Sequence, residues 1–166
     1  MPDPQANAAA LAAQAPMPGI RPLAEILAEL KKPPADKHLR TKKVSGIELT
    51  FIPWHFVIQY FDLFAPGWCY EIRSVTETTG HTLRARTEKE IKASSPGQHE
   101  EIRPQIIVTV RITIRTADFG DVWREASGIE DEETNSYGDA SSNAESMALR
   151  RAASKFGFGL YLYNKK

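Results

Sequence analysis

Arg150 and Arg151 stand in tandem in the run Ala144-Glu145-Ser146-Met147-Ala148-Leu149-Arg150-Arg151-Ala152-Ala153-Ser154-Lys155-Phe156-Gly157. Adjacent cations among small residues are suited to holding a phosphate backbone. Projected at about 100° per residue, Ala144, Ala148, Leu149, Ala152, Ala153 and Phe156 fall on one broad face of a helix. Arg150, Arg151, Ser154 and Lys155 fall on the other, which is nearly free of carboxylates. The alanines permit close packing on a sheet, while the basic side presents fixed cations. Charged helix faces more often simply meet water, so composition by itself does not assign this one.

Further cations lie on predicted strands. In the third β-stretch Ile106, Val108, Val110, Ile112 and Ile114 alternate with Ile107, Thr109, Arg111, Thr113 and Arg115, which gives one apolar face and one that ends basic. An ordinary polar outer face explains Arg111 and Arg115 equally well. A basic stretch, Lys31, Lys32, Lys37, Arg40, Lys42 and Lys43 against a lone Asp36, leads into a strand–turn–strand around Gly46. Phe51, beside that stretch and just before Pro53, is the aromatic best placed to stack on a base, an interaction of roughly 1–3 kcal/mol. Trp54, Tyr60, Phe61, Phe64 and Trp68 sit in apolar patterns and read as core.

Enzyme signatures are scarce. There is no Gly-rich phosphate loop ending in Lys-Ser or Lys-Thr, no Gly-x-Ser-x-Gly elbow, and no metal-ligand spacing among His38, His55, His81 and His99. Asp118, Asp121 and Glu125 form the one conceivable carboxylate group for a metal-dependent nuclease, but Phe119-Gly120 between them is equally a hairpin corner. The expectation is a non-enzyme needing no metal and no cofactor.

The elements that must position these residues follow from periodicity. A chain of 166 residues, 42% hydrophobic and 25% charged, supports one globular domain. Residues 1–19, rich in Ala and Pro, read as a flexible tail, and residues 20–166 as the binding domain. Net charge is zero, so the distribution of basic residues must decide any affinity for nucleic acid. The single Cys69, the lack of a secretory signal and the lack of a bilayer-length apolar run predict a cytoplasmic protein with no membrane partner.

Helices are predicted over Pro22–Leu30, over Pro53–Phe64, which reads as buried on nearly all sides, and for about fifteen residues ending at Gly157. The last is expected to open with a capping box, Ser142 with Glu145. Between them lie β-stretches near Trp68–Thr78, Leu83–Ala93, Arg103–Thr116 and, shorter, Asp121–Ala126. Loops are expected at Gly80, at Ser94–Gly97 and from Glu130 to Ser142. Short connections make this an antiparallel meander in an α+β fold.

Two separated motifs resemble the Rad fifty-two family of single-strand annealing proteins, above all its bacterial and phage branch that includes DNA damage response protein A. One is Phe51-Ile52 leading into a helix that closes Phe61-Asp62-Leu63-Phe64-Ala65-Pro66-Gly67-Trp68. The other is the Arg150-Arg151-Ala152-Ala153 helix followed by Phe156-Gly157-Phe158-Gly159-Leu160-Tyr161-Leu162-Tyr163. The resemblance spans roughly Ile20 to Tyr163. It implies a curved antiparallel sheet of three to four strands packed against a long helix, an N-terminal hairpin, and subunits arranged in a ring.

It further implies single-stranded DNA as partner, annealing of complementary strands in repair and homologous recombination, and association with other recombination or single-strand-binding proteins. In a bacterial or phage setting the protein would be nucleoid-associated. Protection of 3′ ends without annealing is the alternative within the family, and a duplex RNA-binding module is a more distant one. By position Arg150 and Arg151 are the cations at the bottom of the groove, Arg40 or a neighbouring lysine is the hairpin cation, and Phe51 replaces a tyrosine. Ser154 stands where a further basic residue is expected, with Lys155 beside it.

Overall fold

The computed structural model describes residues 19–44, 46–84, 99–132 and 139–163. The expected tail through Pro18, most of the Leu83–Ala93 stretch with the Ser94–Gly97 loop, and residues 133–138 of the polar loop lie outside the described residues.

Helix α1, Leu23–Leu30, follows Pro22, whose fixed φ suits a helix start. Its Ile26 and Leu30 are buried. A 3-10 turn at Asp36–His38 leads into strand β1, Arg40–Val44, which pairs antiparallel with β2, Ile47–Phe51. This is the expected hairpin, turned at Gly46. Helix α2, Trp54–Phe64, follows Pro53 and buries Val57 and Phe61. Three long strands come next: β3, Cys69–Arg84, β4, His99–Thr116, and β5, Gly120–Asp131. Helix α3, Ala140–Ser154, and a closing 3-10 turn at Leu160–Tyr163 complete the described chain.

The strands form one open antiparallel sheet in the order β3-β4-β5, while β1 and β2 form a separate two-stranded sheet. Helix α3 packs on β5 and β4. The alternation in β4 works as predicted: Val108, Val110, Ile112 and Ile114 are buried with Ala144, Ala148, Leu149, Ala152 and Ala153 of α3. Phe61, Phe156 and Phe158 close the same core from the other elements.

The closest backbone approach in this packing is at Gly128. A Cβ there would run into the carbonyl oxygen of Ala144 and lie 2.8 Å from the amide nitrogen of Ala148. A residue without a side chain is what lets helix and strand backbones meet. Gly157 ends the last helix as expected, at φ 100°, in the left-handed region that favours glycine.

Several expectations are corrected. Among the described residues neither curvature of the sheet nor its closure into a ring is found, and the open sheet has three strands. The sequence predicts four β-stretches because Gly80 reads as a turn, yet it lies within β3, opposite Arg103 on β4. The Gln105 side chain fills the space where a Cβ would stand at Gly80, so its lack of a side chain serves packing within a strand. The fourth stretch, expected at Asp121–Ala126, extends to Asp131, which removes Glu130 from the predicted loop.

Helix α2 is not buried on nearly all sides: Trp54 is 48% and Leu63 69% exposed. Its apolar residues exceed what α1 and α3 cover. The Ser142–Glu145 capping box is replaced by Asp139. Its Oδ1 accepts the Ser142 amide at 2.8 Å and the Ser141 hydroxyl at 2.5 Å, so α3 begins at Ala140. Glu145 instead accepts the Tyr70 hydroxyl at 3.3 Å.

Gly128→Ala is expected to cost about 2 kcal/mol or more in chemical denaturation, because the added methyl has no room to relax between two backbones. The cap gives a pH-dependent result. Hydrogen bonds from Ser141 and Ser142 hold the Asp139 carboxyl at about 2, below the ordinary 3.8. Its stabilisation is therefore complete above the ordinary carboxylate range and is lost as pH falls through the lower value. Asp139→Ala should lower Tm at neutral pH, and the gap from the unaltered protein should close as the solution is acidified toward pH ~2.

Candidate nucleic-acid interface

The β1–β2 register places Arg40 opposite Phe51 and Lys42 opposite Leu49 on one face, and Lys43 opposite Glu48 on the other. The Arg40 guanidinium folds back onto the carbonyls of Lys37 and Leu39, at 2.8 Å each. Phe51 lies against α3, with the Arg150 guanidinium over its ring, 5.3 Å from the centroid. Cation and aromatic thereby hold each other, an arrangement that grows stronger where water is excluded. A groove of about 350 Å³ opens there. Leu49, Phe51, Ile52 and Leu162 contribute its apolar lining, and Arg150 and Arg151 its charge.

Burial pushes the Arg150 guanidinium below its ordinary value, and neighbouring Arg151 pushes the same way while Tyr163 opposes them. It remains a cation, because arginine is not deprotonated in proteins. No carboxylate lies within ion-pair distance of Arg150 among the described residues. A half-buried, unneutralised guanidinium costs stability and fits an anion that arrives from outside.

Arg151 and Lys155 point to the rim of the sheet. Arg151 Nη1 donates to the Ser127 carbonyl at 2.8 Å, and Lys155 Nζ donates to the Glu125 carbonyl. Both acceptors belong to β5, the edge strand beneath the helix. Ser154, where a further cation was expected, is buried and donates its hydroxyl to the Arg151 carbonyl at 2.8 Å. A basic side chain at that position would be driven into the core, whereas Lys155 is exposed.

The structure does not bring Arg111 and Arg115 to this interface. Their residues alternate away from the core, on the sheet face opposite α3. Arg111 pairs with Glu125 at 2.7 Å and lies 4.3 Å from the Trp123 centroid; Arg115 pairs with Asp121 at 3.1 Å. Their charges are thus spent locally. The same pairs dismantle the nuclease reading, since Asp121 and Glu125 are occupied and Asp118 Oδ1 accepts the Leu23 amide at 2.9 Å. Among the described residues no group of three or more His, Cys, Asp or Glu side chains could hold a metal ion.

Sequence reasoning missed Tyr163, Leu162 and Met147, which help line the groove, and Arg124, which lies on the helix side of β5. The alternation Arg124, Ala126, Gly128 carried that last signal, but β5 read as too short to use it.

Comparison with known proteins decides the family. The model for the Rad52/22 family double-strand break repair protein matches residues 23–166, which include the hairpin, the sheet and the basic helix. The chain belongs to the Rad52/22 family. Within Rad52/22 it is similar to the Arabidopsis thaliana DNA repair RAD52-like protein 1, mitochondrial, at 37% identity over 146 residues, covering 87% of this chain and 69% of that protein. It is also similar to the DNA repair RAD52-like protein 2, chloroplastic, from the same plant, at 32% identity over 148 residues, covering 87% of this chain and 62% of the relative.

Rad52/22 membership makes the chain a non-catalytic protein. The names of both relatives point to organelles, which corrects the expectation of a simply cytoplasmic protein. That expectation rested on one cysteine and the lack of an export signal, and neither feature separates the cytoplasm from another reducing compartment.

Arg150→Met, which keeps the volume but removes the half-buried charge, is expected to raise stability by up to about 1 kcal/mol in urea titration. A loss of similar size would mean that the contacts with Phe51 and Tyr163 outweigh the desolvation of Arg150.

Proposed function

We propose that this chain binds single-stranded DNA along the Arg150–Arg151 groove and anneals complementary strands in DNA repair and recombination. The observation that carries the reading is Arg150 itself, a half-buried guanidinium braced on Phe51, without a carboxylate partner among the described residues and beside a second arginine. Family membership and the plant relatives named for DNA repair support it.

The binding unit is residues 20–166. Arg150, Arg151 and Lys155 neutralise phosphates, and Arg40 with Lys42 supplies cations from the hairpin. Phe51 positions Arg150, and its ring edge is available to a base. The mechanism needs no catalytic group. Cations held at fixed positions keep one strand extended by its backbone, and annealing follows because the bases stay accessible to a second strand. Arg111, Arg115 and Lys43 stand outside this route on geometric grounds.

Self-association belongs to the same reading, since the large apolar residues Trp54, Leu63, Ile72 and Val75 stand exposed. So does association with other recombination or single-strand-binding proteins. Affinity with the bacterial and phage branch rests on the two motifs within Phe51–Trp68 and Ala144–Tyr163.

With about four phosphates neutralised per chain, affinity for oligo-dT should fall roughly fifty-fold between 50 and 200 mM salt. Arg150→Ala with Arg151→Ala should cut that loss to roughly seven-fold. Fluorescence anisotropy measures both, and unchanged binding by the double variant would remove the site assignment. Pairing of complementary oligonucleotides should be faster with the protein than without it. Binding without faster pairing would replace annealing with protection of 3′ ends.

A further inference from the structure

Strand β5 has one edge hydrogen-bonded to β4 and another that no strand covers among the described residues. Along that free edge three alternate carbonyls are each taken by a different cation. The Trp123 carbonyl accepts from Arg124 Nη1 at 2.8 Å, the Glu125 carbonyl from Lys155 Nζ, and the Ser127 carbonyl from Arg151 Nη1 at 2.8 Å. The periods of the two elements make this possible. Four residue steps, from Arg151 in the last turn of α3 to its C-cap Lys155, rise about 6 Å, and two residues of β5 advance about 6.6 Å. Helix and edge strand therefore stay in step.

The type of partner distinguishes these cations from others on the sheet. Arg73, Arg111 and Arg115 are held by carboxylates, which cancel their charge. A carbonyl anchors a cation but leaves its full charge, and one bond leaves Arg four donors and Lys two. Arg124 is further fixed over the Phe156 ring, 5.5 Å from its centroid. Arg124, Arg151 and Lys155 are all exposed. An open groove of about 510 Å³ runs beside Arg124 and Lys155. The carboxylates lining it, Asp121 and Glu125, are already paired with Arg115 and Arg111.

We infer that the free edge of β5 is a phosphodiester rail, on which Arg151, Lys155 and Arg124 continue the path of a single DNA strand out of the Arg150 groove. This rests on the single-strand reading above and adds Arg124 as a binding residue and a direction for the strand. Arg151 belongs to both stretches, so the strand passes from the groove to the edge without leaving charge. A spacing of two residues per cation is one that an extended backbone can follow.

The test is the salt dependence of oligo-dT binding by the full chain. Arg124→Gln keeps a polar side chain able to reach the Trp123 carbonyl, and removes only the charge. It should lower the slope of log affinity against log salt by about 0.7, so that the loss between 50 and 200 mM shrinks about 2.6-fold. Arg124→Lys should retain the original slope. Arg73→Gln, at a cation already spent on Glu71 and Glu125, should also leave it unchanged, since Arg111 still holds Glu125, and this separates the rail from net charge. An Arg124→Gln protein with the original slope and an unaltered Tm overturns the rail while the groove stands. An equal decrease in Arg73→Gln overturns it too. Failure of the unaltered protein to bind oligo-dT overturns both the rail and the single-strand reading.

Discussion

The distance between α3 and the sheet governs everything on the basic side of the molecule. Gly128 and the alanines at 144, 148, 152 and 153 let the helix settle almost backbone to backbone on β5. At that separation Arg151 and Lys155 reach β5 carbonyls directly, and Arg150 comes over Phe51. A larger residue at any of these positions would lift the helix and move all three cations together. The small residues and the charged residues of α3 thus serve one geometric requirement from opposite faces.

Charge is distributed by partner type rather than by amount. The chain is neutral overall, with 21 basic and 21 acidic residues, yet the two faces of its sheet differ. On the outer face Arg111 and Arg115 meet carboxylates and behave as structural pairs. On the helix side, cations meet backbone carbonyls and an aromatic ring, partners that orient them without neutralising them. Net charge carries no trace of this arrangement, and neither does a count of basic residues.

What was legible in the sequence follows from how local each signal is. The alternation of Val108 to Ile114, the alanine face of α3, the Gly46 turn and the Gly157 stop each depend on near neighbours, and each reads correctly. Gly80 misleads because a glycine that makes room for Gln105 across the ladder looks the same as one that makes a turn. Asp139 outcompetes the expected Ser142–Glu145 box because its carboxylate accepts the Ser142 amide and the hydroxyls of Ser141 and Ser142, which leaves Glu145 to a partner 75 residues away in Tyr70. Within the site, Arg150, Arg151 and Phe51 are legible as site residues, whereas the alternation Arg124, Ala126, Gly128 marks only the face on which Arg124 lies. Its role depends on which edge of β5 stays open and on α3 running in step beside it.

The capped edge of β5 also bears on how the chain is made. The sheet is complete at Asp131, but Arg151 and Lys155 lie 20 and 24 residues further on. A ribosome releases the three strands before it releases the side chains that cover their rim. For that interval the nascent sheet presents an unpaired edge, the template on which strands of neighbouring chains assemble. The last helix is therefore both the carrier of the basic groove and the step that covers this edge during synthesis.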